Sequence, residues 1–204
     1  MNPATWLINF FHRTMSENIP IATIGGVKVY RDGNSVRWTS RLSIDADGSP
    51  QAYHPDSASG LDRIANAGKP GNWFGIAVGR NGQPFIQGVD APAFSKFTEG
   101  FYVSTTALVA DKTRLGNDPR RYTNSETVPY IVVPGAFVVS GLLGKKCVVT
   151  NTANGMSCDA IVADIGPTDS IGAGSIALAK SLGINPDCRT GGVDSGIQYT
   201  VLLA

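Results

Sequence analysis

The sequence predicts a mainly β fold, a barrel of short strands with extra hairpins and one or two short helices. Three observations carry that expectation. Apolar and β-branched runs of four to nine residues recur from Val27 to the C-terminus, a length at which strands form more readily than helices. The 24 glycines and 12 prolines are scattered among these runs without a collagen-like period, so they mark turns. Only one stretch carries a clear helical face.

Taken in order, residues 27–30 and 36–44 flank Asp32-Gly33, a pair that reads as a hairpin turn. Residues 74–78 and 84–87 flank Asn81-Gly82 in the same way. Residues 101–104 and 130–133 are apolar and β-branched, residues 147–150 and 160–165 bracket the turn-prone segment 151–155, and residues 198–203 read as a closing strand. The helix falls at residues 174–182, where Ile176, Ala179 and Leu182 share one face and Gly183 is a natural left-handed stop. No repeat and no low-complexity linker divides the chain. The organisation expected is a loosely structured segment over residues 1–20 and a single domain over residues 21–204.

With 204 residues and 42% hydrophobic side chains, the chain is long enough to bury a substantial core. Only 16% of residues are charged, and 17 basic against 16 acidic residues leave a net charge of +1. The densest basic clusters, in residues 118–121 and at Lys145-Lys146, hold two basic residues each. Binding through phosphates needs more, so no nucleic-acid partner is expected. Cys147, Cys158 and Cys188 lack the Cys-x-x-Cys spacing of a structural zinc site. Cys147 and Cys158 flank a turn and fit either a cross-strand bridge, which implies an oxidising compartment, or a reduced pair. Residues 6–11 are a short apolar run with no preceding Lys or Arg, so no signal peptide is visible. No apolar run approaches the ~18 residues of a membrane span.

Chemistry is suggested most strongly by residues 160–184, AIVADIGPTDSIGAGSIALAKSLGI: a strand, a Gly-Pro turn, a loop and the helix. Strand alternation sets Ile161, Ala163 and Ile165 on one face and Val162 with Asp164 on the other. Asp164 then stands at a strand end beside a glycine-rich approach with room for a ligand. A carboxylate there serves as an acid or base, or caps a turn.

Residues 164–184, together with SIDADGSPQAYHP at 43–55, FYVSTTAL at 101–108 and RYTNSETVPYIVVP at 121–134, resemble glycoside hydrolase family 75, the fungal-type chitosanases and their bacterial relatives. The resemblance spans residues 24–203. It implies a six-stranded double-psi β-barrel, shared in outline with membrane-bound lytic transglycosylase A, expansins and family 45 cellulases. It also implies inverting hydrolysis of β-1,4-linked amino-sugar polymers by an Asp on a barrel strand and a Glu a short loop later. Asp164 matches the Asp. The Glu belongs in the Ile-Gly-x-Gly-Ser segment, where this chain has Ala173, nine positions on.

Inversion needs an acid for the glycosidic oxygen and a base for the attacking water, with carboxyls ~6.5 to 9.5 Å apart. A methyl group does neither. Just before or at the start of the predicted helix, position 173 suits a general base, because the positive end of the helix dipole favours an ionised carboxylate. Asp164, among apolar neighbours, suits the acid. Ala173 leaves three accounts open: an engineered Glu-to-Ala change made to trap substrate, an enzyme in which Asp164 works alone as in the lytic transglycosylases, and a relative that binds sugar without cutting it.

Asp45 and Asp47 alternate before a glycine, but neither the register nor a closing glutamate fits a calcium loop. No metal and no cofactor are expected. The resemblance places both near the sugar cleft, where carboxylates favour protonated glucosamine; a capped turn accounts for them equally well. Tyr53 and His54 are candidate sugar contacts, with His54 otherwise a hydrogen-bonded structural residue. Gln87, Ser104 and Thr105 are further binding candidates by their short polar reach. Nothing resembles a nucleophile elbow that would recruit Ser104 into a triad with His54. Trp73 and Tyr102 are large enough to stack on a pyranose, although their strands favour core packing. His12 sits in no pattern.

The function expected is therefore endo-acting, inverting cleavage of a chitosan-like β-1,4-linked amino-sugar polysaccharide, impaired here by Ala173. The alternatives are a peptidoglycan-cleaving muramidase or lytic transglycosylase using Asp164, and a non-catalytic carbohydrate-binding module. The partner expected is the polysaccharide itself, met by a monomer outside the cytoplasm, in the periplasm or beyond the cell.

Overall fold

The computed structural model describes residues 19–135 and 141–203. Residues 1–18, with the run 6–11, His12 and most of the expected loose segment, lie outside the described residues. Strand β1 (Ala22–Ile24) pairs with β2 (Val27–Asp32), and β2 turns back through Gly33, at φ +56°, into the eleven-residue β3 (Ser35–Asp45). Along β3, Val36, Trp38, Ser40, Leu42 and Ile44 are buried while their neighbours are not, the period of two that the sequence carries. A two-residue hairpin, β4 (Gly68–Lys69) and β5 (Asn72–Trp73), stands apart. The remaining strands are β6 (Tyr130–Pro134), β7 (Lys146–Asn151), β8 (Ser157–Gly166), β9 (Ala173–Ser175) and β10 (Val193–Leu202).

Six of these close into a barrel. β3 pairs with β10, β10 with β7, β7 with β8, β8 with β6, β6 with β9, and β9 returns to β3. The β6–β8 and β3–β9 pairs are parallel and the other four antiparallel. This closed, mixed barrel is compatible with a double-psi topology, and closure leaves its ring no open edge. One short helix, α1 (Ile176–Ser181), follows β9 directly; the Ser175 hydroxyl caps it by accepting from the Leu178 amide at 3.1 Å, and Gly183 ends it at φ +65°. Ile176, Leu178 and Ala179 join the main apolar cluster with Ile131, Val162 and Ile197, and Trp38 stacks on Tyr199 there with centroids 5.0 Å apart.

Between β3 and β6 lies a loop layer, residues 46–129, that the sequence assigned more strands than it has. The segments 74–78, 84–87 and 101–104 meet only through single bridges, Ile76 with Ser104, Val78 with Pro84, and Ile86 with Tyr102. Isolated backbone hydrogen bonds, such as the Ala77 amide to the Val103 carbonyl at 2.9 Å and the Phe85 amide to the Ala77 carbonyl at 3.0 Å, hold the backbone there together with side-chain ties, in place of continuous ladders. The turn at Asn81-Gly82 is present, with Gly82 at φ +75°. Trp73 and Tyr102 pack near each other, 6.3 Å between centroids, against a second apolar cluster around Tyr53 and Ile76. All three cysteines are free; Val149 faces Cys158 and Cys147 faces Ala160, so the thiols of the β7–β8 hairpin are not directly opposed. Among the described residues no helix is long and apolar enough to cross a membrane.

Candidate active site

Three elements bring carboxylates together on the barrel's outer face. β3 ends at Asp45, and the chain turns through Ala46 to Asp47, whose amide donates to the Asp45 Oδ1 at 3.0 Å. The turn requires glycine at 48: φ is +77°, and a Cβ there would lie 2.0 Å from the Thr123 carbonyl oxygen. Asp45 thus does cap a turn, as one reading of the sequence had it, while its other oxygen faces the site.

Asp164 arrives by a break in strand alternation. Along the parallel β6–β8 pair, Ile131 faces Val162, the register slips at Ala163, and Val132 then faces Asp164. Regular alternation would send Val162 and Asp164 to one face; with the slip, Val162 packs in the main core and Asp164 lines a cleft. On its other side Val132 pairs with Ala173 of β9. Positions 164 and 173 therefore straddle Val132, two strand spacings or roughly 9.5 Å apart at the backbone. Ala173 stands three residues before the helix, within the expected range, but in an extended strand. It is a strand residue tied to β3 and β6, so barrel register, not a helix dipole, sets where its side chain points.

The cleft measures ≈ 610 Å³ and is lined by Asp45, Asp47, Asp62, Asp164, Tyr53 and Ala173 among others, with no Lys, Arg or His among the described residues. Oxygens of Asp45, Asp47 and Asp164 lie within 4.8 Å of one another. Each carboxylate is held from behind. Tyr53 donates its hydroxyl to the Asp47 Oδ1 at 2.7 Å, and Tyr130 donates to the Asp45 Oδ2 at 3.2 Å and to the Asp47 carbonyl at 2.8 Å. The Asp164 Oδ1 accepts the Ala107 and Ile165 amides, both at 2.9 Å.

Three carboxylates this close, in a place poor in water, do not all ionise. Asp45 and Asp47 are half-buried as whole residues, but protein encloses their carboxyl groups. Burial raises Asp45 to about 6, opposed in part by its hydrogen bonds. Asp47 is pushed well above the usual range by burial and then by the charges of Asp45 and Asp164. Asp164 rises to about 7, first through burial and second through the charge of Asp45, with its two amide donors pulling the other way. Burial and the neighbouring aspartates raise Tyr53 and Tyr130 as well, so both remain hydroxyl donors. The site holds protons near neutrality. No metal was expected from the sequence, yet this trio is close enough to ligate one cation; protons or an incoming ammonium group balance the same charge.

The structure gathers Asp45, Asp47, Tyr53, Asp164 and Ala173 in one cleft. Ser104 stands behind them, fully buried, accepting from the Gly48 amide at 3.0 Å and donating to the Gly75 carbonyl at 3.1 Å. Thr105 is outside the lining and reaches the Phe74 carbonyl at 3.4 Å. Gln87 is corrected from a binding candidate to an internal strut: it is fully buried, donates to the Pro50 and Tyr102 carbonyls at 2.7 and 3.2 Å, and accepts the Phe94 amide at 3.1 Å. His54 is likewise outside the lining, its Nδ1 accepting the Asp56 amide at 3.0 Å and its ring edge-on to Phe101. Sequence reasoning missed Tyr130, read only as a strand residue, and Asp62, Asn66 and Phe74. Nothing local marked these; β6 carries Tyr130 to the carboxylates, and loop geometry brings Asp62, Asn66 and Phe74 to the cleft.

No protein-family model matches the chain, and no curated protein matches it.

Proposed function

We propose that the chain is a glycoside hydrolase of the family 75 type, with a double-psi barrel, built to cleave chitosan-like β-1,4-linked amino-sugar polymers by inversion and disabled by Ala173. The observation that carries this reading is the straddling of Val132 by Asp164 and Ala173. A Glu at 173 would extend its carboxyl from a backbone roughly 9.5 Å from that of Asp164, leaving room for a sugar bond and a water between the pair. Asp164, raised to about 7, holds a proton for the leaving oxygen. The lining of four aspartates without a basic residue suits a polycation, and so a deacetylated polymer met outside the cytoplasm.

A second reading is favoured by the missing partner itself: Asp164 alone as acid and then base, as in a lytic transglycosylase acting on peptidoglycan. One experiment separates the two. The chain and its Ala173→Glu variant are incubated with chitosan and with purified sacculi, and the released ends are weighed by mass spectrometry. Reducing ends from chitosan, released at least about 100-fold faster by Ala173→Glu, support the proposal. Ends of 1,6-anhydro type, one water lighter, from sacculi with the unaltered chain support the second reading. Binding to chitosan with no cleavage by either form reduces the protein to a carbohydrate-binding module.

A further inference from the structure

Phe74 is 66% exposed, although it stands beside a well-enclosed site. Scattered exposed apolar residues are ordinary, and Val89, Phe97 and Leu115 are other examples. Of the exposed phenylalanines among the described residues, Phe74, Phe94 and Phe97, only Phe74 lines the carboxylate cleft. Its backbone is fixed, because its amide donates to the Ala67 carbonyl at 3.0 Å. Its ring lies beside Gly68, where a Cβ would stand 3.2 Å from the ring's Cδ1. An exposed apolar ring in the lining of a polar cleft has the form of a stacking surface.

Asp62 shares the same lining but is only 3% exposed. Both its oxygens accept from the Asn66 side-chain amide at 2.9 Å, and its Oδ1 also accepts the Arg63 amide at 2.7 Å. Among the described residues it makes no ion pair. The Arg63 and Arg189 side chains act on this carboxylate through charge only, and Asn66 fixes a group that has no ion-pair partner among the described residues.

We propose that Phe74 and Asp62 form a subsite for one glucosamine ring, Phe74 stacking on the apolar pyranose face and Asp62 receiving the 2-ammonium group. The inference rests on the amino-sugar reading and adds the residues that choose between glucosamine and its N-acetylated form. An acetamide has no positive charge to offer Asp62, so this subsite discriminates by charge while the stacking serves either sugar.

The test is titration calorimetry of the chain as it stands with tetramers of glucosamine and of N-acetylglucosamine. Phe74→Ala weakens both tetramers about tenfold, near 1.4 kcal/mol, and Phe74→Trp restores them. Asp62→Asn weakens the glucosamine tetramer about tenfold and leaves the N-acetylated one unchanged. Melting temperature checks the fold, and Phe74, so exposed, is expected to leave it unmoved. If the unaltered chain binds glucosamine tetramer and Phe74→Ala or Asp62→Asn binds it equally well, the subsite is overturned and the amino-sugar reading stands. If the unaltered chain binds neither tetramer, that reading fails and the subsite with it.

Discussion

The barrel presents Asp45, Asp164 and Ala173 on strands in continuous backbone ladders, whereas the loop layer of residues 46–129 presents Asp47, Tyr53 and Asp62 on a backbone joined by single bridges and turn hydrogen bonds, with side chains such as Gln87 and Ser125 bracing it. Each half depends on its own support. In the barrel, Ile197 is fully buried and its strand pairs on both sides, with Ser40 and with Asn151. In the loop layer, Gln87 ties three backbone groups together, and Arg189 reaches across to the carbonyls of Ser57, Gly60 and Asp62. The site lies where these halves meet. Strand ladders thus carry Asp45 and Asp164, and the loop layer carries Asp47, Asp62 and the Phe74 ring beside them.

The comparison breaks most visibly at Ile197. Ile197→Ala is expected to cost about 2–5 kcal/mol of global stability, measured by denaturant unfolding. Gln87→Ala, which orphans buried backbone groups, is expected to cost about 1–3 kcal/mol. Amide exchange distinguishes the two: Gln87→Ala speeds exchange in residues 85–103 and leaves the β10 amides protected. Equal loss of protection in β10 would mean that the halves unfold as one unit.

The same division explains what the sequence made legible. Period-two burial in β3, the hairpin at Gly33 and the Gly183 stop depend on local chemistry, and each is present as expected. Asp45, Asp47 and Asp164 were legible as residues, and their assembly followed from the resemblance. The register slip at Ala163 was not legible, because it arises from pairing with a strand 31 residues earlier in the chain, Ile131 with Val162. Nor was the strand character of Ala173: the helical pattern of residues 174–182 runs into a segment that barrel closure claims for β9. Phe74 and Asp62 carry no local signature at all, since only a non-local fold of the loop layer brings them to the cleft.

A smaller effect sharpens the electrostatic side of the comparison. The site aspartates have folded-state values above their ordinary value of 3.8, with Asp164 at about 7 and Asp47 well above the usual range. Between pH ~4 and 7 the folded chain therefore keeps protons that the unfolded chain has released, so these groups make stability fall as pH rises through that window. Melting temperature is expected to be higher at pH 5 than at pH 8. Asp47→Asn keeps an acceptor for the Tyr53 hydroxyl and removes a carboxyl pushed well above the usual range. It is expected to raise the melting temperature at pH 8 by about 4 °C and to flatten the decline. Parallel curves for the two proteins would show that the cluster does not share charge as its spacing requires.

The account turns on Asp164 and position 173 acting across Val132, and the rate of chitosan cleavage against pH in an Ala173→Glu background tests it most directly. The expected profile falls off near pH 7 as Asp164 loses its proton, and adding Asp164→Asn lowers the rate at least about 100-fold. Cleavage that survives Asp164→Asn unchanged would contradict the account.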